Sequence, residues 1–163
     1  MQDEIFIALG SNVGDREGNL LRAVAEIGML PGSRITALSP FYDTEPEGEI
    51  PQGNFLNAVI RITSPLLPSE LLRTLLRIET ETFGRQRVIR WEPRRMDLDL
   101  IFYGQKIITD PPTLILPHPL AAGRRFVLAP LADIAPDFVH PTLDKTVKEL
   151  LEDLPPGGSV TKV

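Results

Sequence analysis

The order of the elements predicted from the sequence, strand-helix-strand-strand-helix-strand, indicates an α+β fold. Three observations predict it. Residues 5–9, 34–42, 55–63 and 96–103 contain short runs of alternating or β-branched apolar residues, which are typical of strands. The segments 15–30 and 68–83 instead repeat apolar side chains at the spacing of a helix. Glycine and proline stand between most of these segments and place turns there.

The first strand and helix are joined by Gly10-Ser-Asn-Val-Gly14, which has the residues of a tight turn. Asp15 can cap the helix that follows, and Pro31-Gly32 ends it. The apolar stripe predicted for this helix consists of Leu20, Leu21, Val24 and Ile27. After the strand 34–42, residues 45–53 are polar and rich in proline and glycine, so they are predicted to form a mobile loop.

The third strand, 55–63, is predicted to turn one alternating set of side chains toward the core. That set is Leu56, Ala58, Ile60 and Ile62. Pro68 suits the first turn of the second helix, which is predicted to run to about Phe83 before Gly84 ends it. Its apolar stripe consists of Leu71, Leu72, Leu75 and Ile78.

The last predicted strand, 96–103, places Asp97 and Asp99 on one face. The opposite face is predicted to carry Met96, Leu98, Leu100 and Phe102. Residues 121–131 and 146–151 are predicted to form short additional helices. The complete order matches a ferredoxin-like βαββαβ core, with a mostly antiparallel sheet, helices on one face and extra C-terminal elements.

Composition restricts the kind of protein. A chain of 163 residues with 42% hydrophobic residues fits a single domain, 1–163. There is no apolar run long enough to span a membrane and no basic leader, so we expect a cytoplasmic protein without membrane association. We also expect a monomer. A net charge of −5 argues against general nucleic-acid binding. With no cysteine and two histidines, a bound metal should be hard and oxygen-ligated, which indicates magnesium or manganese.

Basic charge is concentrated just before the two aspartates. Residues 85–95 hold five of the thirteen arginines and one glutamate, in a chain that is acidic overall. Arginine pairs bidentately with phosphate oxygens, and two carboxylates at positions i and i+2 of a strand lie roughly 6.5 to 7 Å apart. Magnesium is commonly held by one or two carboxylates together with substrate phosphates. The segment therefore indicates a site for a metal-bound polyphosphate.

Simpler interpretations exist for each part of this segment. A bare Asp-x-Asp is more often a solvated strand face, and the arginines could pair with these carboxylates in a structural salt-bridge cluster. Trp91 suits either packing or covering a planar ligand. Phe55 with Asn57, and Phe126, form a set that suits a flat heterocycle. The chain has neither a P-loop nor a Gly-x-Gly-x-x-Gly motif, so the Gly10–Gly14 turn is interpreted as structural.

Taken in order, a set of short motifs closely resembles the 6-hydroxymethyl-7,8-dihydropterin pyrophosphokinases. The resemblance runs nearly from end to end of the chain. It rests on Ala8-Leu-Gly-Ser-Asn12, Phe41-Tyr-Asp-Thr44, Phe55-Leu-Asn-Ala58, Gly84-Arg-Gln-Arg87, Arg90-Trp91, Pro93-Arg94, Asp97-Leu-Asp-Leu100, Pro117-His118 and Arg124-Arg-Phe-Val-Leu-Ala-Pro-Leu131. The resemblance implies Mg-dependent transfer of pyrophosphate from ATP to the pterin hydroxymethyl group, with release of AMP, in folate biosynthesis.

The resemblance also implies roles for individual residues. Two Mg²⁺ ions would be held by Asp97 and Asp99, which with Arg85 and Arg94 form the catalytic set. ATP would be bound by Arg85, Arg87, Arg94, His118 and Glu79. The pterin would be bound by Thr44, Phe55, Asn57, Trp91, Arg124 and Phe126, with its ring between the two phenylalanines.

Three departures from the family pattern stand out. The residue after the tryptophan is usually glycine and is Glu92 here. The arginine segment is one residue shorter, and the helix before it is one residue longer. Pro119 and Ala122 replace polar residues that some members carry. A catalytically impaired pterin- or nucleotide-binding homologue is therefore an alternative. An RNA-binding module with the same element order is disfavoured, because this chain lacks the aromatic motif that such modules require.

Overall fold

The computed structural model describes residues 3–46, 51–84, 95–111 and 113–163. The strands are β1 Ile5–Ser11, β2 Arg34–Leu38, β3 Tyr42–Thr44, β4 Phe55–Thr63, β5 Asp97–Tyr103, β6 Ile108–Asp110, β7 Leu114–Leu116 and β8 Val160–Lys162. The α-helices are α1 Arg16–Gly28, α2 Pro68–Arg77, α3 Arg125–Ile134 and α4 Val147–Asp153. A π-helical turn, Ile78–Thr82, extends α2, and a 3₁₀ turn, Ala121–Gly123, precedes α3.

The main sheet is antiparallel and has the predicted ferredoxin-like arrangement. Within the described residues its strand order is β5-β1-β4-β3-β8, and β2 also pairs with β4. The first strand therefore lies between β4 and β5, and each of the two core helices crosses over one strand. In the same described part, β6 and β7 form a separate hairpin. No helix among these residues is long and apolar enough to cross a membrane.

Two apolar clusters cover the two faces of the sheet. The first joins α1 and α2 to the predicted core face of β4, including Leu20, Leu71 and Ile60. The second joins α3 and α4 to the opposite face, through Phe6, Val59 and Leu128. The C-terminal helices thus cover a face that the βαββαβ core leaves open, which the sequence did not indicate.

The first helix confirms most of its predicted pattern. Asp15 is the N-cap, and its carboxylate accepts the Gly18 N–H at 3.0 Å. Leu20, Ala23 and Ile27 are buried, but Leu21 is 49% exposed. Leu21 was wrongly assigned to the stripe because one residue rotates a helix by about 100°, which turns this side chain away from the sheet.

The predicted strand 34–42 is two strands rather than one. The break falls at Ser39 and Pro40, where proline has no N–H to donate to a neighbouring strand. Ser39 bridges the gap, because its N–H donates to the Val59 carbonyl at 3.0 Å and its hydroxyl accepts the Val59 N–H at 2.9 Å. The chain then re-enters the sheet as β3. It pairs there with residues 55–57 of β4, whereas β2 pairs with residues 60–63 of the same strand.

The helix before the arginine segment ends in a π-helical turn. A π turn accommodates one extra residue in a helix, and the sequence had indicated a helix one residue longer than in the family. Gly84 follows with φ +64°, a left-handed conformation that suits glycine and ends the helix as predicted. Residues 85–94, which include most of the arginine segment, lie outside the described residues.

The strand β5 departs from simple alternation at its end. Its register with β1 shifts between Phe6 and Ile7, so one extra residue of β5 is accommodated there. Leu98 and Leu100 lie in the first core cluster as predicted, whereas Phe102 lies in the second. The prediction for Phe102 was wrong because a bulge reverses the side-chain alternation beyond it.

The last predicted helices are confirmed with shifted bounds, and β8 was not predicted. Thr146 caps α4, and its hydroxyl accepts the Glu149 N–H at 3.1 Å. The strand β8 pairs with β3, and the Val163 N–H donates to the Phe41 carbonyl at 2.9 Å. This pairing makes β3 an internal strand rather than an edge.

We expect acid to destabilise this fold partly through His140. Burial lowers the pKa of His140, so the folded ring stays neutral at pH values at which the unfolded chain, with an ordinary pKa of about 6.5, already binds a proton. The unfolded state then binds more protons, and the free energy of unfolding falls as the pH falls below about 6.5. Urea unfolding at about pH 7.5 and pH 5.5 measures this loss. The His140→Asn variant should lose less, and an equal loss in both proteins would contradict the assignment.

Candidate active site

An open cleft lies on the sheet face that α3 and α4 cover only in part. It encloses about 600 Å³, counting the space at its mouth. The cleft is lined by Ala8, Leu9, Gly10, Thr44, Glu45, Gln52, Phe55, Asn57, Asp97, Asp99, Arg124 and Phe126. Seven residues predicted as ligands from the resemblance are in this set: Thr44, Phe55, Asn57, Asp97, Asp99, Arg124 and Phe126.

Strand register accounts for the centre of the cleft. Gly10 of β1 pairs with Asn57 of β4 on one side and with Asp97 of β5 on the other. Neighbouring strands lie about 4.8 Å apart, so the backbones of Asn57 and Asp97 are separated by about 10 Å across Gly10. Two residues earlier in β1, Ala8 pairs with Asp99. The two carboxylates and the amide therefore share one face, with small residues between them.

Gly10 leaves room for the Asn57 side chain. A Cβ at position 10 would lie 2.7 Å from Asn57 Nδ2 and 3.5 Å from a ring carbon of Phe55. The Asn57 amide crosses this space, and Nδ2 donates to the Leu9 carbonyl at 3.4 Å. The sequence interpretation treated the Gly10–Gly14 turn as structural and missed this contribution. In the sequence, only the motif Ala8-Leu-Gly-Ser-Asn12 of the family resemblance indicated that Gly10 belongs to the site.

Two buried polar atoms of the cleft have no hydrogen-bond partner among the described residues. They are the hydroxyl oxygen of Thr44 and Oδ1 of Asn57. Both residues are more than nine-tenths buried, and burying a polar atom without a partner costs roughly 1–3 kcal/mol. Both also line the cleft, so a bound molecule with polar edges would supply the partners.

The aromatic side of the cleft comes from two distant segments. Phe55 begins β4, and Phe126 lies in the first turn of α3. The guanidinium of Arg124 lies 5.4 Å from the centre of the Phe126 ring. Both phenylalanines remain partly exposed in the cleft, as expected for side chains that a flat ligand could cover.

The backbone between the two aspartates is held from below by Glu79. Its Oε2 accepts the Leu98 N–H at 2.6 Å, and the residue is fully buried. The structure thus places the predicted ATP ligand Glu79 under β5, and its contact with ATP stays a prediction from the resemblance. In this structure Glu79 fixes the strand segment that carries Asp97 and Asp99.

His118 lies beside Asp99 at one end of the cleft. The His118 backbone N–H donates to the Ile101 carbonyl at 3.0 Å, and Nδ1 accepts the Leu120 N–H at 3.1 Å. In the neutral ring the proton is therefore on Nε2, which lies 3.9 Å from Asp99 Oδ1. Burial, aided by the charge of Arg124 and opposed by that of Asp97, lowers the pKa of His118 to about 4. At neutral pH His118 presents an uncharged N–H donor.

A second, more open cleft meets the first at Asp99. It encloses about 720 Å³ between α2, β5 and β7. Its lining is mostly aliphatic, with Asp99, Thr113 and His118 as polar exceptions: Leu72, Leu76, Leu98, Asp99, Leu100, Thr113, Leu114, Ile115, His118 and Pro119. Asp99 thus faces two spaces, of which one is rimmed by phenylalanines and the other is walled by aliphatic side chains.

Several predicted site residues lie outside the described part of the chain. These are Arg85, Arg87, Trp91 and Arg94, together with the departure at Glu92. Within the described part, no cluster of three or more histidine, aspartate or glutamate side chains could hold a metal on its own. The carboxylates that line the first cleft among the described residues are Glu45, Asp97 and Asp99, and the metal role of Asp97 and Asp99 stays a prediction.

The first cleft thus combines a carboxylate pair, Asp97 and Asp99, with two phenylalanines on a ferredoxin-like sheet. The family model for 7,8-dihydro-6-hydroxymethylpterin-pyrophosphokinase matches residues 6–136. The chain belongs to this family.

Relatives of known name agree over most of the chain. A 2-amino-4-hydroxy-6-hydroxymethyldihydropteridine pyrophosphokinase from Synechocystis is 42% identical over 148 residues, which cover 91% of this chain and 74% of the relative. Another, from Methylorubrum extorquens, is 42% identical and covers 94% of both chains. A folic acid synthesis protein from Dictyostelium discoideum is 37% identical, and the match covers 98% of this chain but 24% of that protein.

Solved structures show the same fold. A Plasmodium falciparum HPPK-DHPS variant bound to STZ-DHP superposes with a TM-score of 0.70 over 93% of this chain, at 14% sequence identity. The wild-type protein with SDX-DHP superposes with a TM-score of 0.68. This chain spans about two fifths of the length of these solved chains, 43% and 44%.

A methyl group at position 10 should weaken ligand binding in the first cleft. In Gly10→Ala the new Cβ would meet Asn57 Nδ2 at 2.7 Å, so the amide must move and its orphaned Oδ1 moves with it. We expect the dissociation constant of a pterin ligand, measured by fluorescence titration, to rise about tenfold or more. This is the loss expected when the displaced Asn57 amide no longer forms one hydrogen bond with the ligand. Gly123→Ala, whose Cβ would meet no atom within 4 Å, is the matched control. Equal affinities in the two variants would contradict this account of Gly10.

Proposed function

We propose that the chain transfers a pyrophosphoryl group from ATP to the hydroxymethyl group of 6-hydroxymethyl-7,8-dihydropterin and releases AMP, a step of folate biosynthesis. The observation that carries the proposal is the cleft itself. It combines two carboxylates, two phenylalanines and two unpartnered buried polar atoms within one family fold. Relatives that cover most of this chain bear the name of this activity.

The first cleft suits the pterin. Its bicyclic ring can lie between Phe55 and Phe126, which contribute apolar surface and stacking. The edge of the pterin carries both donors and acceptors, so it can donate to Oδ1 of Asn57 and bond the hydroxyl of Thr44. These two bonds would remove the cost of the unpartnered atoms. The hydroxymethyl group would then point toward Asp97 and Asp99.

The second cleft suits the nucleotide. Adenine can lie against the aliphatic walls formed by Leu72, Leu98 and Leu114, while the phosphates extend toward Asp99. His118 can donate its Nε2–H to a phosphate oxygen, because Nδ1 accepts the Leu120 N–H and leaves the ring proton on Nε2. We assign Arg85, Arg87 and Arg94 to phosphate binding from the sequence, since arginine forms paired hydrogen bonds with phosphate.

Magnesium fits the carboxylate pair. ATP-dependent kinases of this type use Mg²⁺, and a hard ion takes oxygen ligands from carboxylates, phosphates and water. We assign two ions to Asp97 and Asp99, and when bound they would neutralise phosphate charge during transfer. The two carboxylates extend from one face of a strand whose backbone Glu79 holds, so their spacing is set before any ligand binds.

The reaction requires no covalent enzyme intermediate. The pterin hydroxymethyl oxygen attacks the β-phosphorus, the bond from this phosphorus to the α–β bridging oxygen breaks, and AMP departs. The hydroxyl proton passes to a base, for which Asp97 is our candidate. The residues of this chain align the two substrates and hold charge near the transferred group, which are the dominant contributions in phosphoryl-type transfer. The single-domain organisation, cytoplasmic location and monomeric state remain predictions from the sequence.

Isotope-labelled ATP tests the proposed reaction. The protein is incubated with Mg²⁺, the reduced hydroxymethylpterin and ATP labelled at either the α- or the γ-phosphorus. We expect the γ label to appear on the pterin and the α label to appear in AMP. ADP with a singly phosphorylated pterin would refute pyrophosphoryl transfer, and pterin binding without turnover would instead support the catalytically impaired alternative.

Variants of the carboxylates provide the controls for this assay. Asp97→Asn and Asp99→Asn retain the side-chain shape but remove one negative charge each. We expect each to lower kcat at least about a hundredfold, because charge stabilisation at a phosphoryl centre is typically worth several kcal/mol. Asp110→Asn, in the β6–β7 hairpin, is the matched control and should leave kcat unchanged. Near-normal turnover in either site variant would refute the metal assignment.

A further inference from the structure

Arg16 connects the start of α1 to two separate segments at the rim of the first cleft. Its Nη1 donates to Oδ2 of Asp43 in β3 at 3.2 Å. The same nitrogen donates to the carbonyl of Asn54 at 3.0 Å. Asn54 completes a triangle, because its Nδ2 donates to Oδ1 of Asp43 at 2.8 Å. The Arg16 and Asp43 side chains are each about one-third exposed, 34%.

Each partner of Arg16 directly precedes a residue of the cleft. Asp43 precedes Thr44, and Asn54 precedes Phe55. Thr44 and Phe55 are themselves paired across β3 and β4. The guanidinium therefore joins the two chain segments one residue before the side chains that supply the unpartnered hydroxyl and one aromatic wall.

The strand β3 contains only three residues, and side-chain contacts add to its backbone pairing with β4 and β8. One such contact comes from Tyr42, whose hydroxyl bonds Asp133 of α3. Burial, together with this bond to a carboxylate, raises the pKa of Tyr42, so the phenol remains a donor. Tyr42 and Asp43 are neighbours and therefore hold β3 from opposite faces. Of the two, Asp43 also bonds Asn54, the residue before Phe55.

We propose that Arg16 is a positioning residue for the pterin acceptor, acting through Asp43 and Asn54 on Thr44 and Phe55. Arg16 does not line either cleft, so it does not touch the substrates. Its effect should fall on the first cleft and spare the second, since Asp43, Asn54, Thr44 and Phe55 are all absent from the nucleotide side. This inference rests on the function proposed above for the same site.

Arg16→Ala separates this role from a general structural one. We expect the KM for the pterin, and its dissociation constant in the presence of a non-hydrolysable ATP analogue, to rise on the order of tenfold. The KM for ATP and kcat at saturating pterin should stay within about twofold. Arg16→Lys can keep one of the two bonds and should recover part of the pterin affinity.

A matched control and a double mutant complete the test. Arg61→Ala removes another inter-strand bond, from Arg61 Nε to the Thr36 hydroxyl at 3.0 Å, at the far end of β4. It should leave the pterin KM unchanged. The variant that combines Arg16→Ala with Asp43→Ala should bind pterin no more weakly than the weaker single variant, because both changes break the same contact.

The outcomes distinguish this inference from the proposed function. Wild-type protein that fails to form AMP and pyrophosphorylated pterin would refute the function. Wild-type turnover with an unchanged pterin KM in Arg16→Ala would overturn the positioning role alone. Equal losses of pterin and ATP affinity, or fully additive losses in the double variant, would also overturn it, because they indicate a general loss of structure.

Discussion

The site depends on the antiparallel pairing of β1 with β4 and with β5. Backbone hydrogen bonds fix this register, and the side-chain period of two then places Asn57, Gly10 and Asp97 side by side on one face. A shift of one residue in either pairing would turn the corresponding polar groups into the first apolar cluster. Because that cluster buries about one side chain in two along each central strand, the register is strongly determined by hydrophobic burial.

One part of the second face of the sheet packs in the hydrophobic core, and the other part lines the first cleft. Near one end, Phe6, Val59 and Ile101 pack under α3 and α4. Toward the other end the same strands carry Gly10, Asn57 and Asp97, and the helices stop short of them. Phe126 stands at the boundary, in the first turn of α3 and within packing distance of the cluster. The helices that complete the hydrophobic core therefore also form one wall of the cleft.

Local pattern was sufficient to predict the core elements and the direction of the two aspartates. Strict alternation in β5 places Asp97 and Asp99 opposite Leu98 and Leu100, and the structure agrees. Alternation could not reveal the bulge that moves Phe102, because a bulge is defined by the partner strand. The short strand β8 was missed for a similar reason, since three residues carry little pattern and their partner β3 is more than a hundred residues away.

The composition of the cleft required knowledge that the residues alone do not contain. Thr44 and Arg124 join Phe126 in the cleft through tertiary packing, and only the family resemblance placed Thr44 and Arg124 in this site. The burial of Glu79 under β5, where it accepts the Leu98 N–H, could not be predicted from the resemblance either. The extra helical residue noticed in the sequence lies in the helix that carries Glu79. The π-helical turn and its contact with β5 could not be predicted from that extra residue alone.

We propose that the two substrates meet at the carboxylates, with the pterin on the Asn57 side and the nucleotide on the His118 side. A crystal structure of the protein with Mg²⁺, a non-hydrolysable ATP analogue and 6-hydroxymethyl-7,8-dihydropterin would test this arrangement. We expect the pterin ring between Phe55 and Phe126, hydrogen-bonded to Asn57 Oδ1, with its hydroxymethyl oxygen facing the β-phosphorus. A pterin bound against Leu72 and Leu114, or phosphates bound away from Asp97 and Asp99, would contradict it.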